Sequence, residues 1–190
     1  MGQNRPDRFD GQFDQVLHAA YRGEAWAFDR IFRALAPVVA AYLRAQGAAE
    51  PDDLTSEVFL GVLRNLHRFQ GDEAQFRSWV FTIAHRRLLD ERRGLGRRPP
   101  SEPLDAAPEP LAPEDVEETV AHALAAERVR ALCEQLAPDQ RDVLILRVVA
   151  RLSIDQVATA LGKTPGAVKS LQRRGFRALS RILQRPGVML

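Results

Sequence analysis

The residues of this chain best suited to chemistry by type and spacing are cations, and the chemistry they suit is the binding of a polyanion. Between Gly162 and Arg185 stand seven basic side chains, Lys163, Lys169, Arg173, Arg174, Arg177, Arg181 and Arg185, with no acid among them. Between Phe76 and Arg98 stand seven arginines (77, 86, 87, 92, 93, 97 and 98) against only Asp90 and Glu91. The stretch from Ser101 to Glu118 reverses the sign, with seven acids and no base. The formal charge of +2 averages over these blocks. They suggest two positive surfaces, joined by an acidic strap, that grip one polyanion at two places.

Groups capable of covalent or acid–base work are scarce. His18, His67, His85 and His122 are scattered with no recurring partner spacing, so each is read as a surface or packing residue. The single cysteine, Cys133, lies beside Leu132 and Leu136 on an apolar helix face. Alone, it excludes an intramolecular disulfide and reads as a small buried hydrophobe. The sequence has no glycine-rich phosphate loop and no closely spaced Cys/His cluster. No metal, cofactor or enzymatic activity is therefore expected. Residues 1–15 are polar, and no run of about eighteen apolar residues occurs anywhere, so neither a signal peptide nor a membrane span is expected. A reducing cytoplasm is the expected location.

The cations must be held by helices. Six of the twelve prolines fall between Pro99 and Pro113, where fixed φ angles and missing amide donors prevent a continuous helix. Residues 99–118 therefore read as a linker between two small helical domains, 12–98 and 119–186. Phe28, Ile31, Phe32, Leu35, Val38, Val39, Tyr42 and Leu43 recur at three-and-four spacing, which predicts one amphipathic helix. Asp52 and Asp53 favour the start of a second, with Leu54, Val58, Val62, Leu63 and Leu66 as its stripe. Gly71 marks a turn, and a third helix is predicted from about Phe76 to Arg93. Beyond the linker, Val120, Leu124, Val129, Leu132 and Leu136 predict one helix, and another spans Pro138 to Ala150. Ser153 with Gln156 then fits a capping box, Gly162 a C-cap, and Thr164-Pro165 an N-cap followed by a first-turn proline. That succession predicts a helix-turn-helix.

Each of three constellations has a physical use. On the last helix Val168, Leu171, Leu179 and Ile182 suit a core face, while Lys169, Ser170, Arg173, Arg174 and Arg177 fall elsewhere. Long cationic arms with one small residue fit a major groove. On the third helix Phe76, Trp79 and Phe81 are interleaved with Arg77, Arg86, Arg87 and Arg93, which suits unstacked single-stranded bases. Trp79 is also in phase with Val80 and Ile83, which suits a core position equally well. In the segment Asp52 to Phe59, Val58 and Phe59 are neighbours pointing different ways. Either one stays exposed as a protein-binding patch, or the helix is buried on two sides.

Taken together, these residues resemble the sigma-70 family of RNA polymerase sigma factors, in its extracytoplasmic-function group. Asp52-Asp53-Leu54-Thr55-Ser56-Glu57-Val58-Phe59 is similar to the family's core-polymerase-binding helix. Phe76-Arg77-Ser78-Trp79-Val80-Phe81-Thr82-Ile83-Ala84, continued through Arg93, resembles the helix that recognises and melts the −10 element. Leu136 to Val143 and Ala167-Val168-Lys169-Ser170 resemble the −35-reading domain. The resemblance implies that Asp53, Leu54, Glu57, Val58, Phe59, Val62 and Leu63 meet the clamp helices of the polymerase largest subunit. It implies −10 contacts from Phe69, Gln70, Gly71, Asp72, Phe76, Trp79, His85, Arg86 and Arg93, with a base flipped into the Phe69–Asp72 loop. It further implies −35 contacts from Lys163, Thr164, Lys169, Ser170, Arg173, Arg174 and Arg177, a second hold on the polymerase flap region, and control by an anti-sigma protein. Two positions depart from the family pattern. Ile83-Ala84-His85-Arg86 stands where Ile-Ala-Arg-Asn is common, and Leu171 stands where an arginine usually follows Lys-Ser. The competing readings are a stand-alone helix-turn-helix regulator of duplex DNA and a small helical enzyme using His85 or His67.

Overall fold

The computed structural model of the protein describes residues 9, 11–95 and 131–184. The linker 99–118 and residues 120–130 of the predicted helix that follows it lie outside them. All regular structure among the described residues is helical.

The N-terminal half is built from four helices. Helix α1 (Phe13–Tyr21) buries Phe13, Val16, Leu17 and Ala20. Helix α2 (Ala25–Ala45) presents an unbroken ladder of Ala27, Ile31, Leu35, Val39 and Leu43, one residue per turn, with Tyr42 beside it. Helix α3 (Pro51–Asn65) starts on a proline, whose missing amide costs nothing in a first turn. Asp52 and Asp53 at that end and Arg64 at the other complement the helix dipole. Gly61 lets α3 approach α4 closely, since a Cβ there would stand 3.3 Å from Ile83 Cγ2. A short 3-10 turn (Leu66–Arg68) and Gly71, at φ +148°, then reverse the chain.

Helix α4 (Glu73–Leu95) begins three residues before the periodicity suggested, because its start is fixed by polar bonds. Asp72 Oδ1 accepts from the Gln75 amide at 2.7 Å, and Gln75 Oε1 accepts from the Asp72 amide at 2.9 Å. This reciprocal pair satisfies two otherwise orphaned donors. Phe76, Val80, Phe81, Ala84 and Leu88 of α4 are fully buried.

In the C-terminal half, residues 131–134 are helical, and α5 (Pro138–Val148), α6 (Ile154–Leu161) and α7 (Pro165–Leu183) follow. The predicted signals all act. Ser153 and Gln156 form the capping box, Gly162 closes α6 in the left-handed region at φ 63°, and Thr164 Oγ1 accepts from the Ala167 amide at 3.2 Å. Helices α5 and α7 pack at Gly175, where a Cβ would lie 2.8 Å from Leu144 Cδ1.

The two halves do not stand apart. Helix α6 lies along α4, α5 touches the end of α2, and one buried apolar cluster runs from Phe9 through to Leu171. Sharing a core answers a size problem, since each half alone is small for independent stability. Leu136, Leu144 and Ile182 form a second, smaller cluster within the C-terminal half.

Gly175→Val should force α5 and α7 apart and cost about 1–3 kcal/mol by overpacking. Thermal unfolding followed by circular dichroism checks this, and an unchanged midpoint would mean that the contact is slack.

Candidate nucleic-acid and protein interfaces

The helix-turn-helix presents α7 with sharply divided faces. Val168, Leu171, Gly175 and Ile182 are buried. Lys169, Arg173, Arg174 and Arg177 are exposed, and Ser170 is half-buried. Lys169, Arg173 and Arg174 have no ion-pair partner among the described residues, so their charge is available to an external anion. Lys163 differs, because its Nζ is held 3.0 Å from Asp139 Oδ2. Thr164 spends its hydroxyl on capping α7. Arg147 braces the motif from α5, donating to Gln172 Oε1 and to the Leu152 carbonyl.

The aromatic residues expected to meet bases mostly meet one another. Phe69 and Phe76 pack edge-on with ring centroids 5.0 Å apart, and Trp79 lies 5.2 Å from Phe69 and 5.6 Å from Phe76. Phe76 also contacts Phe13, and Tyr21 donates to the Phe69 carbonyl at 2.6 Å. Phe76 is wholly buried and Phe69 nearly so, so in this arrangement neither ring is open to a base. Both are core groups that hold the loop 70–72 against α1. Trp79 is half-buried, with its core-phase position realised in part. Gln70, Gly71, Asp72 and Arg86 are exposed. Arg93 is exposed and paired with Asp90 at 3.1 Å. Arg87 lies 3.6 Å from Glu57.

His85 is buried, and Tyr42 Oη lies 3.0 Å from its Nδ1. Burial pushes its pKa below the ordinary imidazole value. The Asp142 carboxylate pulls the other way, and Arg92 and Lys163 add to the depression while Asp139 opposes it. Burial likewise raises the Tyr42 phenol, so both partners of this hydrogen bond are neutral. In this arrangement His85 cannot meet DNA.

On α3, Val58, Phe59, Val62 and Leu54 are all buried, so of the two readings of this helix the one buried on two sides is what the structure has. Helix α2 covers one side of it and α4 the other. The exposed apolar residues are Leu60 and Leu63, half-exposed on the outer face with Asp53 and Glu57. Phe32 of α2 joins the exposed set, its ring packed edge-on against Phe59 at 4.8 Å. Leu60 was not singled out from the sequence; its signal was an apolar position left over after the buried stripe is complete. Phe32 was placed in the apolar stripe of α2, and its ring stands partly exposed at the edge of that stripe.

A further apolar groove of about 190 Å³ opens on the C-terminal half between residues 132–133, α5 and α7, with Val148 and Phe176 exposed at it. Cys133 lines it, with its thiol pushed up by burial. Among the described residues no cluster of three metal-ligating side chains occurs, and no helix is long and apolar enough to cross a membrane.

A helix-turn-helix with an unpaired cationic face, packed on a second helical unit with its own apolar outer face, defines a two-part helical nucleic-acid-binding protein. Comparison with known families narrows this class. The profile "Sigma-70 region 2" matches residues 31–98 and "Sigma-70, region 4" matches residues 126–179. The ECF RNA polymerase sigma factor BldN of Streptomyces coelicolor is 35% identical over 175 residues, covering 89% of this chain and 65% of BldN. The ECF RNA polymerase sigma factor SigD of Mycobacterium tuberculosis is 33% identical over 182 residues, covering 88% of this chain and 82% of SigD. Among solved structures, CnrH in complex with the cytosolic domain of CnrY shares the fold, with a TM-score of 0.69 at 22% identity over 89% of this chain and 95% of that one. The chain belongs to the sigma-70 family of RNA polymerase sigma factors, in its extracytoplasmic-function (ECF) group.

Two expectations follow from burial. Val58→Asp places a charge in the core and should cost about 4 kcal/mol or more, whereas Leu60→Asp with Leu63→Asp should leave the melting temperature within a few degrees. Calorimetry of both variants separates core from surface. For His85, a depressed pKa means that the folded state stays neutral while the unfolded chain takes up a proton below about pH 6.5. Stability conferred at this site is complete above that pH and is lost as pH falls through the depressed value. Denaturant titrations from pH 7.5 to 5.0 should show this loss, and His85→Gln should flatten that part of the profile. An identical slope in the variant would exclude His85 as its source.

Proposed function

We propose that this chain acts in the cytoplasm as a transcription initiation factor that binds core RNA polymerase and directs it to specific promoters, without enzymatic activity of its own. Residues 12–98 form the polymerase-binding and −10 unit, 99–118 the connecting strap, and 119–186 the −35 unit. The observation that carries this reading is the unpaired cationic face of α7, opposite its buried face, in a chain of this family.

Duplex contact falls to Lys169, Ser170, Arg173, Arg174 and Arg177, with Lys163 and Thr164 at the helix entrance near phosphates. Arginine forks suit guanine edges, and the remaining cations suit phosphates. The non-template strand meets the exposed Gln70–Asp72 loop with Arg86, Arg93 and the accessible part of Trp79. Flipping a base costs a few kcal/mol, which loop and arginine contacts must offset. Polymerase docking uses Leu60 and Leu63 flanked by Asp53 and Glu57, facing the clamp helices of the largest subunit. The groove beside Phe176 provides a second hold, on the flap region. An anti-sigma protein regulates the factor by covering one or both of these faces.

Neither cationic surface needs to hold DNA alone, because the polymerase fixes their separation and turns the second contact into an intramolecular one. Run-off transcription with core enzyme on genomic fragments should yield transcripts that require this chain. Arg174→Ala should weaken promoter use by about 1–3 kcal/mol, the value of a base-edge contact. Unchanged promoter use would remove Arg174 from the interface. Core polymerase that starts equally well on every fragment without the chain would overturn the function.

A further inference from the structure

Among the described residues Arg151 alone, glycines aside, has a positive φ, at 54°. In that left-handed region the Cβ of an L-residue crowds the following carbonyl, and glycine is the residue the conformation favours. The surroundings leave Arg151 no alternative. Its neighbours Ala150 and Leu152 are wholly buried, and their amides bond back to the Ile145 and Leu146 carbonyls at 3.3 and 3.1 Å, closing the end of α5. Both neighbouring carbonyls are held as well, that of Ala150 by Arg77 Nη2 at 2.9 Å and that of Leu152 by Arg147 Nη1. A turn fixed from both sides keeps its shape whatever residue occupies it, so glycine would serve the fold better than arginine here.

The side chain offers the fold nothing in return. Arg151 is exposed, and its guanidinium has neither an ion pair nor a hydrogen bond among the described residues. A cation near the end of α5 complements the helix dipole, but Arg147 in the last turn already supplies one. What Arg151 does have is a place beside other free cations. Arg147 donates both to the Leu152 carbonyl and to Gln172 Oε1, so one guanidinium ties the 150–152 turn to α7. Gln172 adjoins Arg173 in the chain and lies one helical turn from Lys169, both without an ion-pair partner among the described residues. The same turn leads into α6, the first helix of the helix-turn-helix, and in this motif the first helix crosses the sugar-phosphate backbone while the second enters the groove. We infer that Arg151 is a phosphate contact at the edge of the duplex-binding face, a cation placed in a strained turn at some cost in stability. Lying before α6 and outside the groove helix, it holds the duplex in register and reads no base. The inference rests on the duplex-binding reading of α7 and adds to it a residue outside that helix.

Stability and binding should move in opposite directions. Arg151→Gly relieves the turn and removes the cation in one change, so it should raise the thermal midpoint by a few degrees. The same variant should bind a fluorescent mixed-sequence DNA duplex several-fold more weakly than the unsubstituted full-length chain at about 50 mM salt, with the slope of log affinity against log salt shallower by about one. Arg151→Lys should keep the steeper slope. Arg151→Ala, which leaves the turn strained, should lose the slope without gaining the midpoint. A glycine variant with the original slope would overturn the inference, and so would one that melts lower, since Arg151 would then serve the fold. Arg174→Ala in the same assay keeps the two readings apart. Weaker binding by Arg174→Ala but not by Arg151→Gly removes the phosphate contact and leaves the α7 face standing. The reverse result keeps the phosphate contact and counts against the α7 face.

Discussion

The structure depends on α4 being buried on more than one side. Phe76, Val80 and Leu88 anchor it in the N-terminal core, and Arg77 and His85 lie under the C-terminal half. A helix so enclosed loses its amphipathic signature, and α4 accordingly mixes apolar, aromatic and basic residues all round its axis. Everything else follows from that enclosure. The aromatic cluster is drawn inward, the 70–72 loop is left as the accessible edge, and the two small halves share a common core.

Charge is distributed to the same end. Some cations are engaged within the fold, Lys163 and Arg93 in ion pairs with Asp139 and Asp90 and Arg77 in a hydrogen bond to the Ala150 carbonyl. Among the described residues Lys169, Arg173 and Arg174 have no ion-pair partner on the outer face of α7, where an external polyanion can recover their electrostatic value. The separation of paired from unpaired cations supports the proposed duplex-binding face better than the count of basic residues does.

Much of this was legible in the sequence where a local rule governs the outcome. The helix-turn-helix was set by Ser153, Gln156, Gly162, Thr164 and Pro165, each acting through its own backbone neighbours. Helix α1 was passed over because its five buried residues lie among polar ones that gave no long stripe, and their burial depends on α2. The burial of Phe69, Phe76, Val58 and Phe59 has one cause. Periodicity shows that a residue is apolar on a given face but not which faces find neighbours, and here both sides of α3 and several sides of α4 do. The contacts of Gln46 with Asp142 and Arg77 with Ala150 span 96 and 73 residues, and no sequence pattern announces them.

In the proposed function two separated surfaces of this chain engage one promoter only when the polymerase holds them. Footprinting of reconstituted holoenzyme on a selected promoter, combined with permanganate probing of unpaired thymines, tests it most directly. The account predicts two separate protected elements, with reactive thymines at the downstream one only, and no footprint from the chain by itself. A single palindromic footprint made by the free chain, with no unpaired thymines when polymerase is added, would contradict it.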